Sequence, residues 1–234
     1  GKIAAVSGVC DGFIGNRMLA NYRDAVGEAM DAGASPVQID KALEQWGMKM
    51  GPFRMGDLAG LDIGWAVRKR KKADNPDLDL STPADKLCEA GRFGQKTGAG
   101  WYRYEPGNRK PLADPEVDKM IEAYRQEKGI AARKVSNDEI VERAMFALVN
   151  EGARILEEGI ALRASDIDIV YLNGYGFPAH RGGPMKYADM YGLDRLLADI
   201  REFEQEDARF WAPAPLLVEL VEKGECFDDL NKRA

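Results

Sequence analysis

Apolar side chains recur every three and four residues through most of this chain, the spacing of helices that bury one face. The first such stretch carries Ile14, Met18, Leu19, Tyr22, Val26, Ala29 and Met30. It predicts a long helix capped by Asp11 and stopped near Gly33 by a left-handed glycine. Ahead of it, Ile3 to Val9 is apolar and partly β-branched, and reads as a short strand or the remnant of one. Ser35, Pro36 and Gln38 make a helix start with a capping box; Val37, Leu43 and Trp46 supply its buried side, and Gly47 ends it. Gly51-Pro52 opens a short helix through Leu58, Asp62 caps one holding Trp65 and Val67, and Thr82-Pro83-Ala84-Asp85 starts one that ends at Gly91. Gly91 to Gly100 is a glycine-rich loop, and Trp101 to Tyr104 reads as a short strand or extended arm closed by a Pro106-Gly107 turn.

In the second half, Asp114-Pro115 opens a helix to about Lys128, with Val117, Met120, Ile121 and Tyr124 on one side and Gly129 as its stop. It is the natural connector between two halves. Ser136 and Glu139 form a capping box before a long helix with Ile140, Ala144, Met145, Leu148, Ile155 and Leu156, ending at Gly159. Ser165 caps the next helix, and others are expected around Met185–Tyr191, Asp194–Phe203 and Pro215–Val221.

The two halves repeat each other. Gly51-Pro52 is followed by Asp57, Gly60, Leu61 and Asp62, and Gly183-Pro184 by Asp189, Gly192, Leu193 and Asp194, at identical offsets. Upstream, each half has a long helix ending in glycine, then a helix containing Ile-Asp (Ile39-Asp40, Ile167-Asp168), then an aromatic-glycine pair (Trp46-Gly47, Tyr175-Gly176). A duplicated helical unit whose copies bury apolar faces on each other, like a dimer fused into one chain, accounts for this order.

Composition narrows the picture. With 234 residues and 45% hydrophobic positions the chain can build a core, and a formal net charge of −6 disfavours nonspecific binding to nucleic acid or anionic membrane. Cys10, Cys88 and Cys226 are odd in number and far apart, which argues against a disulfide framework and for a reducing, cytoplasmic-type compartment. No signal peptide or membrane-span stretch is evident, and the closing Asn-Lys-Arg-Ala is not a Ser-Lys-Leu-type peroxisomal address. The abrupt start at Gly1 within a strand-like stretch suggests a piece of a longer protein.

Several chemistries fail on residue types. Gly91 to Thr97 lacks the glycine that a phosphate loop needs before Lys-Thr, since Gln95 stands there. Gly98-Ala99-Gly100 leads into an aromatic arm, not a helix, so it is no dinucleotide fingerprint. His180 is the sole histidine and its neighbour is Arg181, the wrong charge to orient a base. No ligand pair at helical spacing suggests a metal. Arg68 to Lys72 is a basic run at a helix end, where it complements the dipole as a solvated face; the alternative is a perch for a phosphate-bearing ligand. Asn16, near the start of the first long helix, can hold a substrate oxygen without adding charge, or simply serve as a helix-start asparagine.

Asp11-Gly12-Phe13-Ile14-Gly15-Asn16-Arg17, then Met50-Gly51-Pro52-Phe53, Gly60-Leu61-Asp62 and Arg92 to Tyr102, resemble in order the C-terminal domain of 3-hydroxyacyl-CoA dehydrogenases. Tyr175 to Pro184 is similar to the extra copy of that domain in multifunctional β-oxidation enzymes, which fuse an enoyl-CoA hydratase to the dehydrogenase. The resemblance implies an all-α fold of two tandem repeats packed as a pseudo-dimer, like the C-terminal part of 6-phosphogluconate dehydrogenase. Residues 1–10 would be the tail of a missing Rossmann domain, 11–104 the first repeat, 105–134 a linker helix and 135–234 the second repeat. It implies oxidation of an L-3-hydroxyacyl-CoA with NAD, both the cofactor and the catalytic His–Glu dyad belonging to the upstream Rossmann domain, so that this stretch alone binds no cofactor and is inactive. Acyl-CoA is the implied substrate, and Rossmann and crotonase-like domains the implied upstream partners. Asn16 matches the asparagine of the family's Phe-Ile-x-Asn-Arg motif, which lines the active cleft; Met48, Phe53 and Met55 would wall the acyl path. In the second copy Asn16 aligns near Glu142, which implies a structural copy with no site of its own. The alternatives are a non-catalytic dimerisation or scaffold module, and a related dehydrogenase acting on a different hydroxy acid.

Overall fold

A computed structural model of the chain describes residues 3–77 and 81–232. The described residues form twelve α-helices and two short 3-10 turns, with isolated bridges in place of any strand. They divide into two compact units: one of residues 3–27, 46–49 and 138–232, the other of 28–45, 50–77 and 81–137.

Helix α1 spans Gly15–Ala32 and begins three residues later than an Asp11 cap would place it. The cause is local: Gly12 and Phe13 both take positive φ, 81° and 51°, a tight turn that no helix can include. The apolar stripe is buried as its spacing requires, at Ile14, Met18, Tyr22, Val26, Ala29 and Met30, whereas Leu19 is only half covered. Arg17 on the same helix donates from Nε to Glu151 at 2.5 Å and from both Nη atoms to Glu158 at 2.6 and 2.8 Å. Those bonds hold its pKa above the ordinary guanidinium value.

The first unit is organised around α7, Asn137–Glu157, which buries residues on nearly every side from Ile140 to Ile155. Gly152 keeps it close to its neighbours, since a Cβ there would lie 2.6 Å from Met185 Sδ and 3.2 Å from Met18 Cε. Buried Asn150 ties down a later loop, donating to Ala212 O at 2.9 Å and accepting from Ala214 N at 2.8 Å. Around it stand α8 (Ala164–Gly174), α9 (Pro184–Tyr191), α10 (Leu193–Glu204), α11 (Pro215–Lys223) and a short α12 (Phe227–Leu230) that the sequence pattern did not predict. Ser165 does not cap α8: Arg163 is the cap position, and the Ser165 amide donates to Asn231 Oδ1 at 3.0 Å.

The Ile3–Val9 strand is absent. Its amide at Gly8 pairs with Ile160 O at 2.8 Å, but Ile3, Val6 and Val9 stay exposed with no neighbouring strand among the described residues. Gly1 and the last two residues of the closing tetrapeptide lie outside the described residues.

The second unit holds the end of α1 with α2 (Pro36–Trp46), α3 (Pro52–Ala59), α4 (Leu61–Asp74), α5 (Pro83–Glu89) and α6 (Pro115–Lys128). The capping box at α2 is half made: Ser35 Oγ accepts from Gln38 N at 3.1 Å, while the Gln38 amide turns away to Val135 O at 2.9 Å. Gly33 is not the left-handed stop expected. Its φ is 140°, and its lack of a Cβ matters because one would sit 2.0 Å from Arg133 O. Asp62 lies inside the first turn of α4, where it pairs with Lys96 at 2.5 Å, and Gly60 takes the cap position. Trp101 to Tyr104 is not a strand: the Trp101 and Tyr102 amides go to the carboxylate of Asp57 at 2.9 and 3.0 Å, leaving Arg103 in isolated bridges to Ala99 and Leu112.

One device occurs in each repeat. Asp40 on α2 accepts from the Phe53 and Arg54 amides at 2.9 and 3.0 Å, and so satisfies the start of α3. Asp168 on α8 accepts from the Met185 amide at 2.8 Å and the Lys186 amide at 3.2 Å at the start of α9. The aspartate one turn further on repeats the pattern: Asp57 takes the amides of Trp101 and Tyr102, and Asp189 those of Phe227 and Asp228 at 2.8 and 3.0 Å. The recurring Gly-Pro and Asp positions in the sequence are thus sites where buried or half-buried carboxylates terminate free backbone amides.

Candidate functional site

Asn16 is the second residue of α1, and the turn before it decides how it is presented. Left-handed Gly12 and Phe13 reverse the chain, and the Asn16 amide closes on Gly12 O at 3.1 Å. The stripe from Ile14 to Met30 then fixes which face of α1 is buried, and Asn16 is left exposed. Its Oδ1 accepts a hydrogen bond from Tyr175 Oη at 2.8 Å. Its Nδ2 has no hydrogen-bond partner among the described residues, so the site offers an uncharged amide nitrogen as donor.

Tyr175 caps the C-terminus of α8, its amide returning to Tyr171 O at 3.2 Å. Its ring stacks on Tyr171 with centroids 4.8 Å apart, and Tyr171 Oη donates to Gly15 O at 3.0 Å. Burial pushes the Tyr175 phenol above its ordinary pKa, and the Arg23 charge opposes this. Both tyrosines therefore stay protonated donors at neutral pH, since burial likewise raises Tyr171.

The other expected residues are distributed between the units. Met48 is buried in the first, in a segment that Lys49 N ties to Gly176 O at 3.2 Å. Just before it, Trp46 O accepts from Arg181 Nε and Nη2 at 3.3 and 3.2 Å, and the guanidinium lies 4.1 Å from the Trp46 ring centroid. Phe53 and Met55 lie on α3 in the second unit, Phe53 buried edge-on against Trp101 at 4.7 Å and Met55 half-buried.

Gly94 and Gly100 permit close approach to Asp57, since a Cβ on either would lie 2.2 Å from its carbonyl oxygen or 2.0 Å from its Oδ1. His180 is exposed in the 3-10 turn Ala179–Arg181. In the basic run, Arg68 pairs with Asp85 at 2.6 Å and Lys69 sits 3.6 Å over the Trp65 ring. Glu142, near which the sequence pattern aligned Asn16, is half-buried on α7, and burial together with Asp199 and Asp138 pushes its carboxyl pKa up. Among the described residues no three His, Cys, Asp or Glu side chains gather as metal ligands, and no helix is long and apolar enough to cross a membrane.

The sequence reading missed Tyr175 as a partner of Asn16. The only signal was its place in the aromatic-glycine pair of the second repeat, and 159 residues separate the two.

Comparison with known proteins gives a consistent set of relatives. The family model described as 3-hydroxyacyl-CoA dehydrogenase, C-terminal domain, matches residues 12–104 and 140–230. The peroxisomal bifunctional enzyme of Danio rerio is 48% identical over 239 residues, covering 96% of this chain and 33% of that protein. A glyoxysomal fatty acid beta-oxidation multifunctional protein, MFP-a of Cucumis sativus, is 35% identical over 228 residues, covering 95% of this chain and 31% of that protein. The chain thus spans about a third of the length of these curated relatives. Among solved structures, the dehydrogenase part of multifunctional enzyme 1 from C. elegans is similar at TM-score 0.70 and 28% identity, covering 90% of this chain and 48% of that one. The 3-hydroxybutyryl-CoA dehydrogenase of Escherichia coli shares the fold at TM-score 0.70 and 20% identity, covering 94% and 62%. The peroxisomal and glyoxysomal names of these relatives overturn the expectation of a cytoplasmic compartment. Unpaired cysteines argue against oxidising surroundings and do not choose among the other compartments.

Proposed function

The chain belongs to the 3-hydroxyacyl-CoA dehydrogenase family as a C-terminal domain, and from that premise we propose that it is the helical part of a multifunctional enzyme oxidising L-3-hydroxyacyl-CoA to 3-ketoacyl-CoA in fatty-acid β-oxidation. Upstream Rossmann and crotonase-like domains would complete the full-length protein, whose relatives are about three times longer than this chain. The described residues hold no sheet and no glycine fingerprint before a helix, so they do not fit NAD, which we assign to the Rossmann domain. Oxidation of the C3 hydroxyl with that NAD as acceptor is the chemistry such an enzyme supplies.

This chain's part is to bind and orient. The observation that carries the reading is the free Nδ2 of Asn16 beside its occupied Oδ1. A neutral amide donor can hold the substrate oxygen while its proton leaves to a base on the neighbouring domain, without stabilising a competing charge. Met48, in the same unit as Asn16, would line the acyl path.

In the full-length protein, Asn16→Ala should lower kcat/KM for 3-hydroxybutyryl-CoA by about 10- to 100-fold, the scale of losing one positioned donor. Unchanged kinetics would remove Asn16 from the site. The isolated chain should form no NADH from the same substrate, and turnover by it would overturn the division of labour.

A further inference from the structure

We propose that Tyr175, a residue of the second repeat, is a positioning residue for Asn16, so that the second copy takes part in the site of the first. The proposal rests on the reading of Asn16 given above. Left alone, an exposed asparagine near a helix start rotates broadly about its terminal torsion, and either end of its amide can face a ligand. Here Tyr175 Oη engages Oδ1 at 2.8 Å, leaving Nδ2 as the free end.

The phenol is itself held from several directions. Its backbone closes α8, its ring stacks on Tyr171, and Tyr171 Oη anchors Gly15 O at 3.0 Å. Two adjacent tyrosines therefore grip two consecutive residues, Gly15 and Asn16. Gly15 makes this geometry available: a Cβ there would lie 2.3 Å from Tyr175 Cε2 and 2.3 Å from its Oη. Packing alone does not require the Tyr175 hydroxyl, because its one hydrogen bond among the described residues goes to an exposed side chain. A bond of that kind adds little to stability. It does define where an amide stands.

The test is Tyr175→Phe in the full-length protein, alone and combined with Asn16→Ala. The expected result is a kcat lowered by about 5- to 20-fold, with KM for 3-hydroxybutyryl-CoA within about twofold and the melting temperature essentially unchanged. The double variant should be no slower than Asn16→Ala, because a residue acting through Asn16 has nothing left to position. If Asn16→Ala slows turnover while Tyr175→Phe does not, or if the two losses multiply, the positioning role is overturned and the reading of Asn16 stands. If Asn16→Ala itself changes nothing, the reading of the site fails and the proposal with it.

Discussion

Gly183 stands so close to the carboxylate of Asp168 that a Cβ on it would lie 2.3 Å from Oδ1. In the other repeat, Gly51 stands in the same relation to Asp40, also at 2.3 Å. The two glycines differ in backbone, with φ of 108° at Gly183 and −69° at Gly51. Each carboxylate is held by helix-start amides and cannot retreat without releasing them. Gly51→Ala should therefore cost about 1–3 kcal/mol through lost hydrogen bonds, and Gly183→Ala about 1–3 kcal/mol more through backbone strain. Denaturant unfolding of the two variants checks the order; equal losses would refute the argument from φ.

The buried carboxylates also make stability depend on pH. Burial pushes Asp40 up to about 7, against the hydrogen bonds it accepts from Tyr102, Phe53 and Arg54, and burial pushes Asp168 up to about 7 as well. A carboxyl with a raised folded-state pKa favours folding below its unfolded value of about 3.9, and that contribution is lost as pH rises through about 7. When protonated, Asp40 can donate to Tyr102 Oη, which lies 2.7 Å away and is within 3.4 Å of Pro36 O. Asp40→Asn removes the titration. The stability of the parent over this variant should be larger at pH 5 than at pH 8, as read by melting temperature at the two pH values. A gap that is constant or larger at pH 8 would show that burial does not control this group.

Arg181 joins a loop of the second repeat to Trp46 by a planar fit, with its guanidinium on the indole and two donors on the Trp46 carbonyl. Arg181→Ala should cost about 1–2 kcal/mol, the sum of a half-buried cation–π contact and a hydrogen bond. Arg181→Lys should recover little of it, because an ammonium cannot stack and fork together. Full rescue by lysine would reduce the contact to simple charge.

Much of the helical order was legible because amphipathic spacing and Gly-Pro starts are local signals. One failure is local, the Gly12–Phe13 turn that delays α1, and others come from competition for backbone groups by partners distant in sequence. Trp101 and Tyr102 look like strand residues, yet their amides are claimed by Asp57, more than forty positions earlier. Gln38 belongs to a capping box by spacing, yet its side chain binds Val135 O. Of the site, Asn16 was visible through its motif, while Tyr175 was concealed because nothing local in Tyr175-Gly176 announces a bond to the start of α1.

Helix α1 opens the first repeat, yet as far as Gly27 it shares a compact unit with residues 138–232 of the second. Met18 and Arg17 find their neighbours there, at Gly152, Met185, Glu151 and Glu158. Because the opening helix of one copy leans on the body of the other, excising either would strip its sibling of a packed face.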